Sequence, residues 1–184
     1  MSTALGARYP QALIALHWLM LLMIAAAYVL MEFRGEFPRG SEPRALMKAL
    51  HFSTGLSVLL LVAARLLLRF RGPIPPITPT PALALRLSAH AAHAALYVFM
   101  LGMPLLGWLV LSAEAAPISL WGLSLPALVG PDKALAERFE DLHKLGATLG
   151  YWLIGLHAAA GLYHHYLRRD DTLRRMLPWA RALR

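Results

Sequence analysis

Residues 141–166, DLHKLGATLGYWLIGLHAAAGLYHHY, decide how this chain is read. The stretch is apolar and long enough to cross a bilayer as a helix, which takes about 20 residues. It carries His143 and His157, fourteen residues apart. At about 100° and about 1.5 Å per helical residue, that spacing leaves the two imidazoles about 40° apart in phase and about 21 Å apart in height. Both therefore lie on one face, one near a membrane surface and one well inside. A helix of this kind offers an axial ligand to each of two stacked haems.

Composition agrees with a membrane setting. The chain has 184 residues, 58% of them hydrophobic and 15% charged, where soluble domains carry about 25% charged residues. A net charge of +8 in a soluble protein would point to nucleic acid. Here it fits the charge bias of loops on one side of a bilayer, and no nucleic-acid partner is expected. No cysteine is present. That excludes disulfides, thiolate metal sites, cysteine-ligated iron–sulfur clusters and covalent haem attachment through C-x-x-C-H. A bound haem is then held by histidine or methionine and is not covalently linked.

Working outward, three further apolar runs reach membrane length. The first covers residues 12–31 and contains His17. The Ala25–Ala27 triplet imitates a signal-peptide cleavage site, but apolar residues continue through Met31, so a retained span is expected. A polar loop at 32–47 leads to a second span at 49–70 with His51 and Arg65. The prolines of RGPIPPITPTP, residues 71–81, impose an extended, stiff connector. A third span at 88–111 starts with His90 and His93, and Gly102, Pro104 and Gly107 suggest a kink. Residues 112–140 form the longest loop, the fourth span covers 142–166, and a basic tail follows. The expected fold is all-α: one domain over 1–184, an integral membrane four-helix bundle.

Charge orients the bundle. On the side holding both termini and the proline connector, eleven arginines (8, 65, 69, 71, 86, 168, 169, 174, 175, 181 and 184) face only Asp170 and Asp171, a balance of +9. On the other side seven cations face eight carboxylates, a balance of −1. Positive charge stays inside, which puts both termini in the cytoplasm.

Ionisable groups within a span are costly and by default functional. Sorted by depth, His51 pairs with His143 near the outer surface, and His17 pairs with His157 nearer the cytoplasm. Each pair comes from two different helices, as clamping a flat macrocycle requires. Gly55, Gly146, Gly150, Gly155, Ala158–Ala160 and Gly161 surround these ligands and offer the bare helix surface a porphyrin lies against; the same small residues also serve close helix packing. His164 lies on the same face as His157, but His143 to His164 is about 31 Å, the whole hydrocarbon thickness. His164 therefore fits better as a hydrogen-bonding group at the cytoplasmic surface, with His93 as its neighbour. Two imidazoles there suit a quinone, whose carbonyls need donors and protons on reduction; solvation in the headgroup region is the other reading. His90 and His165 face elsewhere. Arg65 snorkels or meets a haem propionate. Trp18, Tyr28, Trp152 and Tyr166 read as packing or interfacial belt residues.

ALHWLMLLMIAAAY (15–28), MEFRGEFPR (31–39), RLLLRFRGPIPPITP (65–79) and, above all, LGYWLIGLHAAAGLYHHYLRRDDTLRRMLP (149–178) closely resemble the bacterial cytochrome b561 family. Within it they resemble members that oxidise superoxide and reduce ubiquinone in the bacterial inner membrane. The resemblance covers nearly the whole chain. It implies two b haems ligated by His17, His51, His143 and His157, and ubiquinone beside His93 and His164. It also implies that electrons from periplasmic superoxide pass through the outer and then the inner haem to ubiquinone, with no protein partner required.

An anionic donor is drawn by local positive charge. Lys48, three residues before His51, and Lys144, next to His143, are candidates for steering superoxide, or ordinary interfacial anchors. Three rivals stand beside superoxide oxidation. They are a quinone-linked conduit for a soluble periplasmic dehydrogenase or cytochrome, a histidine-lined metal or proton transporter, and a structural membrane subunit.

Overall fold

The computed structural model describes residues 8–72 and 76–178. Part of the proline connector (73–75) and two arginines of the charge balance, Arg181 and Arg184, lie outside the described residues. Four long helices dominate: α1 Gln11–Phe33, α2 Glu42–Phe70, α3 Leu83–Ala113 and α4 Lys133–Tyr163. All four are long and apolar enough to cross a membrane. Their lipid-facing sides carry exposed large apolar groups such as Leu22, Leu60, Val98, Trp152 and Leu156.

Three helices begin well before the apolar runs that announce them. α2 starts at Glu42, α3 at Leu83 and α4 at Lys133. The 32–47 loop therefore contracts to 34–41, with a 3₁₀ turn at Arg34–Glu36. The 112–140 loop contracts to 114–132. At about 1.5 Å per residue, helices of 29 and 31 residues run to about 45 Å, beyond a hydrocarbon core of about 30 Å. Their charged first turns are helical too. Local chemistry sets the starts. The Asp132 carboxylate accepts the Leu135 amide at 3.0 Å and caps α4. Pro43 sits in the first turn of α2, where a missing N–H costs nothing. α3 stays helical through its buried Pro104.

The 114–132 segment is an ordered cap. Strands β1 Ser119–Leu120 and β2 Leu123–Ser124 pair antiparallel about Trp121 and Gly122, both at positive φ, as a two-residue type I′ loop requires. Ile118 packs with Leu56 and Leu111 in a small core at the outer end. Ser53 and Ser57 on α2 bond the hairpin through the Ser119 carbonyl (3.2 Å) and the Trp121 indole (2.9 Å).

At the opposite end the basic tail folds back under the bundle. The Trp18 indole donates to the Met176 carbonyl at 2.7 Å. The Thr78 amide donates to Asp171 at 3.0 Å, and the buried Arg175 guanidinium stacks over Tyr9 at 5.0 Å. The described ends of the chain and the proline connector thus share one end.

Among the described residues, α1 lies close to α2, α2 to α3 and α3 to α4, whereas α4 makes no comparable backbone approach to α1 or α2. Side chains span that gap. The Tyr28 hydroxyl donates to the Ala147 carbonyl at 2.7 Å, and the Tyr151 hydroxyl donates to Glu32 at 2.6 Å.

Candidate functional site

Four imidazoles meet across the gap beside α4, in two layers. In the outer layer His51 of α2 and His143 of α4 have ring centres 6.2 Å apart and planes at 80°. In the inner layer His17 of α1 and His157 of α4 have ring centres 6.2 Å apart and planes at 68°. A first-row metal–imidazole bond is about 2.0 Å and the ring centre lies about 1.1 Å beyond the nitrogen, so two trans imidazoles on one metal have centres about 6 Å apart. Both layers fit that spacing. In the outer layer the His51 Nδ1–H donates to the Ala27 carbonyl at 2.9 Å, which leaves Nε2 free to ligate.

The space around the outer pair is a cavity of about 510 Å³ whose lining includes His51, His143, Gly55, Gly107, Phe52 and Trp108. Such a volume falls in the range of about 300–1,000 Å³ typical of small-molecule sites. A Cβ added at Gly55, Gly155 or Gly161 would touch nothing within 4 Å, so these glycines do present bare helix surface. Gly146 and Gly150 do not. Cβ atoms there would run into Met103 at one position, and into Tyr28 and Phe99 at the other, so these two serve close packing between helices. Among the described residues, no three His, Asp or Glu side chains converge on a point that would hold a bare ion. A metal between each pair must bring further ligands of its own, as iron does in a porphyrin. The residues fit haem.

The other predicted residues are placed less symmetrically. His93 lies against His157, ring centres 5.5 Å apart. His164 instead bonds Asp170 through Nδ1 at 2.5 Å, with the two side chains 13% and 2% exposed. Periodicity gave no hint of Asp170. Burial pushes its carboxyl up, and hydrogen bonds from His164 and Thr172 outweigh that and hold it below the usual carboxylate range. Arg65 reaches across to the Leu13 carbonyl of α1 at 2.5 Å.

Lys48 and Lys144 both border the outer cavity. Lys48 sits 5.6 Å over the Phe52 ring. Lys144 pairs with Glu140 at 3.0 Å and approaches Asp141 at 3.9 Å. The rim also carries Arg34, Glu32 and Glu114, so positive and negative groups there balance.

Four membrane-length helices with imidazoles paired across their interior have the architecture of a membrane-embedded b-type cytochrome. The sequence profile of prokaryotic cytochrome b561 matches residues 8–179, and the chain belongs to that family. Over 171 residues it is 36% identical to cytochrome b561 homolog 1 of Escherichia coli (strain K12), covering 93% of this chain and 97% of the relative. It is 37% identical over 175 residues to a Yersinia pestis protein named probable superoxide oxidase CybB, covering 95% of this chain and 98% of that one. A second Escherichia coli (strain K12) protein, cytochrome b561 homolog 2, is 36% identical over 106 residues, 56% of each chain. The chain is thus a multi-pass membrane haem protein of electron transport.

Proposed function

We propose that the protein is a single-domain, di-haem cytochrome b of the bacterial inner membrane. It oxidises periplasmic superoxide to oxygen and reduces ubiquinone on the cytoplasmic side. The observation that carries this is the equal 6.2 Å spacing of two imidazole pairs at two levels of one bundle. His51 with His143, and His17 with His157, would hold the two haems. Bound haem would supply one-electron transfer there, and an imidazole from each side would leave no open position for oxygen. The chain's own part is to hold each imidazole pair across the gap, keep lipid and water from between them, and fix His51 through Ala27.

Two superoxide anions, one ubiquinone and two protons yield two dioxygen molecules and one ubiquinol, which balances atoms and charge. The name of the Yersinia pestis relative supports superoxide as donor. Ubiquinone is taken at the end where His93 abuts the inner pair and His164 follows His157 by seven residues, about 10 Å along α4. The excess of arginine at that end supports a cytoplasmic orientation.

Stopped-flow mixing of purified protein with superoxide in the presence of ubiquinone tests this. Rapid reduction of the haem bands, with one quinol formed for every two superoxide consumed, is the expected result. Haem reduction no faster than that of free haem would overturn the superoxide half.

One observation favours a second reading. The outer rim is charge-balanced and Lys144 is already paired, so no cationic funnel awaits a small anion. A quinone-linked conduit, fed by a periplasmic dehydrogenase or cytochrome, needs no such funnel. Neutralising Lys48 and Lys144 separates the two readings: superoxide steering predicts a slower, less salt-sensitive reaction, and a conduit predicts no change in superoxide rate.

A further inference from the structure

We infer that Asp170 is the positioning residue for His164, its buried carboxylate taking the Nδ1–H and leaving Nε2 as the nitrogen that meets the quinone. This rests on the quinone end proposed above. A histidine ring turned over by 180° exchanges its two nitrogens, so an unrestrained imidazole offers a quinone carbonyl either one. An ionised carboxylate only accepts hydrogen bonds. With Oδ2 of Asp170 2.5 Å from Nδ1 of His164, the proton must sit on Nδ1 and the ring cannot turn.

Asp170 is itself fixed by two further hydrogen bonds. Its Oδ1 accepts the Thr172 amide at 3.0 Å. Its own amide donates back to the His164 carbonyl at 3.2 Å. A cavity of about 320 Å³, lined also by Arg169 and Arg174, lies on its flank. The backbone is built for this contact. The π-helical turn His164–Arg168 widens the end of α4, and Arg169 at φ 55° reverses the chain so that Asp170 returns beneath His164. π-helical turns recur at functional sites.

Held this way, His164 acts at one atom. A proton from the cytoplasm first binds Nε2, which is bare in the resting ring, and the resulting Nε2–H bonds a quinone carbonyl oxygen. As the quinone gains electrons from the donor side, the Nε2–H bond breaks and an O–H bond forms. Asp170 stabilises the doubly protonated ring from which that proton leaves, and cytoplasmic water restores it.

The test uses full-length, haem-loaded protein in lipid nanodiscs, with Asp170→Asn, His164→Ala and the double variant. Asp170→Asn is expected to keep its haem content and absorption spectrum. It should lower kcat for ubiquinone reduction about 10-fold, as loss of an orienting partner does elsewhere, with KM little changed. It should add nothing further in the His164→Ala background, because it acts only through that ring. ¹⁵N-histidine NMR of the dithionite-reduced protein should show His164 as a pure Nδ1–H tautomer in the wild type and a mixture in Asp170→Asn. If Asp170→Asn loses haem, Asp170→Glu replaces it, and the same non-additive loss is expected. Equal losses with and without His164 mean a structural role and overturn the inference. So does a silent Asp170→Asn beside a slow His164→Ala, which leaves the quinone end standing. A silent His164→Ala removes the quinone end itself, and the inference with it.

Discussion

Two imidazoles at this site have one nitrogen taken by the protein, which leaves the other to act. His51 spends Nδ1 on the Ala27 carbonyl, and His164 spends Nδ1 on Asp170. On the proposed ligation at two levels, His143→Ala and His157→Ala are each expected to halve haem per polypeptide, read by pyridine haemochrome assay, with the remaining b-type band intact. Asp170 gives a pH-dependent prediction. Its folded pKa lies below the ordinary carboxylate value of about 3.9. Its stabilising contribution is therefore complete above that pH and is lost as pH falls through the folded pKa. Thermal melts in detergent should show the wild type losing stability below about pH 4. The Asp170→Asn protein should start lower at neutral pH and fall less steeply.

At the level of helices, glycine does two different jobs, and the surroundings tell them apart. Gly55 faces the outer cavity, and a Cβ there meets nothing. Gly150 is buried, and a Cβ there would lie 2.6 Å from Phe99 ring atoms and overlap the Tyr28 hydroxyl. Gly55→Phe should fold with unchanged helical content by circular dichroism, yet lose the outer haem. Gly150→Leu should lower the melting temperature by an overpacking cost of about 1–3 kcal/mol, because two aromatic rings must move. A Gly55→Phe protein that kept full haem content would show that Gly55 does not face the macrocycle.

Across the whole molecule, α4 stands off from α1 and α2 among the described residues, and the Tyr28 and Tyr151 hydroxyls bridge it to α1. A flat cofactor filling that gap would be a structural member of the bundle as well as a redox centre. Protein made in haem-deficient cells is therefore expected to be cut by protease far faster than the loaded protein, first in the 114–132 segment that ties α4 to α3. Orientation is a second property of the whole, set by arginine at one end. A C-terminal fluorescent-protein fusion should glow and an alkaline-phosphatase fusion should be inactive; the reverse pattern would invert the cytoplasmic and periplasmic ends.

The sequence by itself determined the all-α class, the four membrane-length helices and the shared face of His143 and His157. All of these follow from a fixed rise and turn per residue and from the cost of burying charge in lipid. It missed the helical first turns of α2 and α4, because charged residues end an apolar run without ending a helix. Only the tertiary structure separated Gly55 from Gly150, since what a glycine faces depends on a neighbouring helix rather than on its own. Only the tertiary structure, too, set His93 against His157 and brought Asp170 to His164. Six residues along a continuous helix would leave the latter two about 120° apart in phase. A π-helical turn and a left-handed Arg169 close that angle, and no periodicity in the chain announces either.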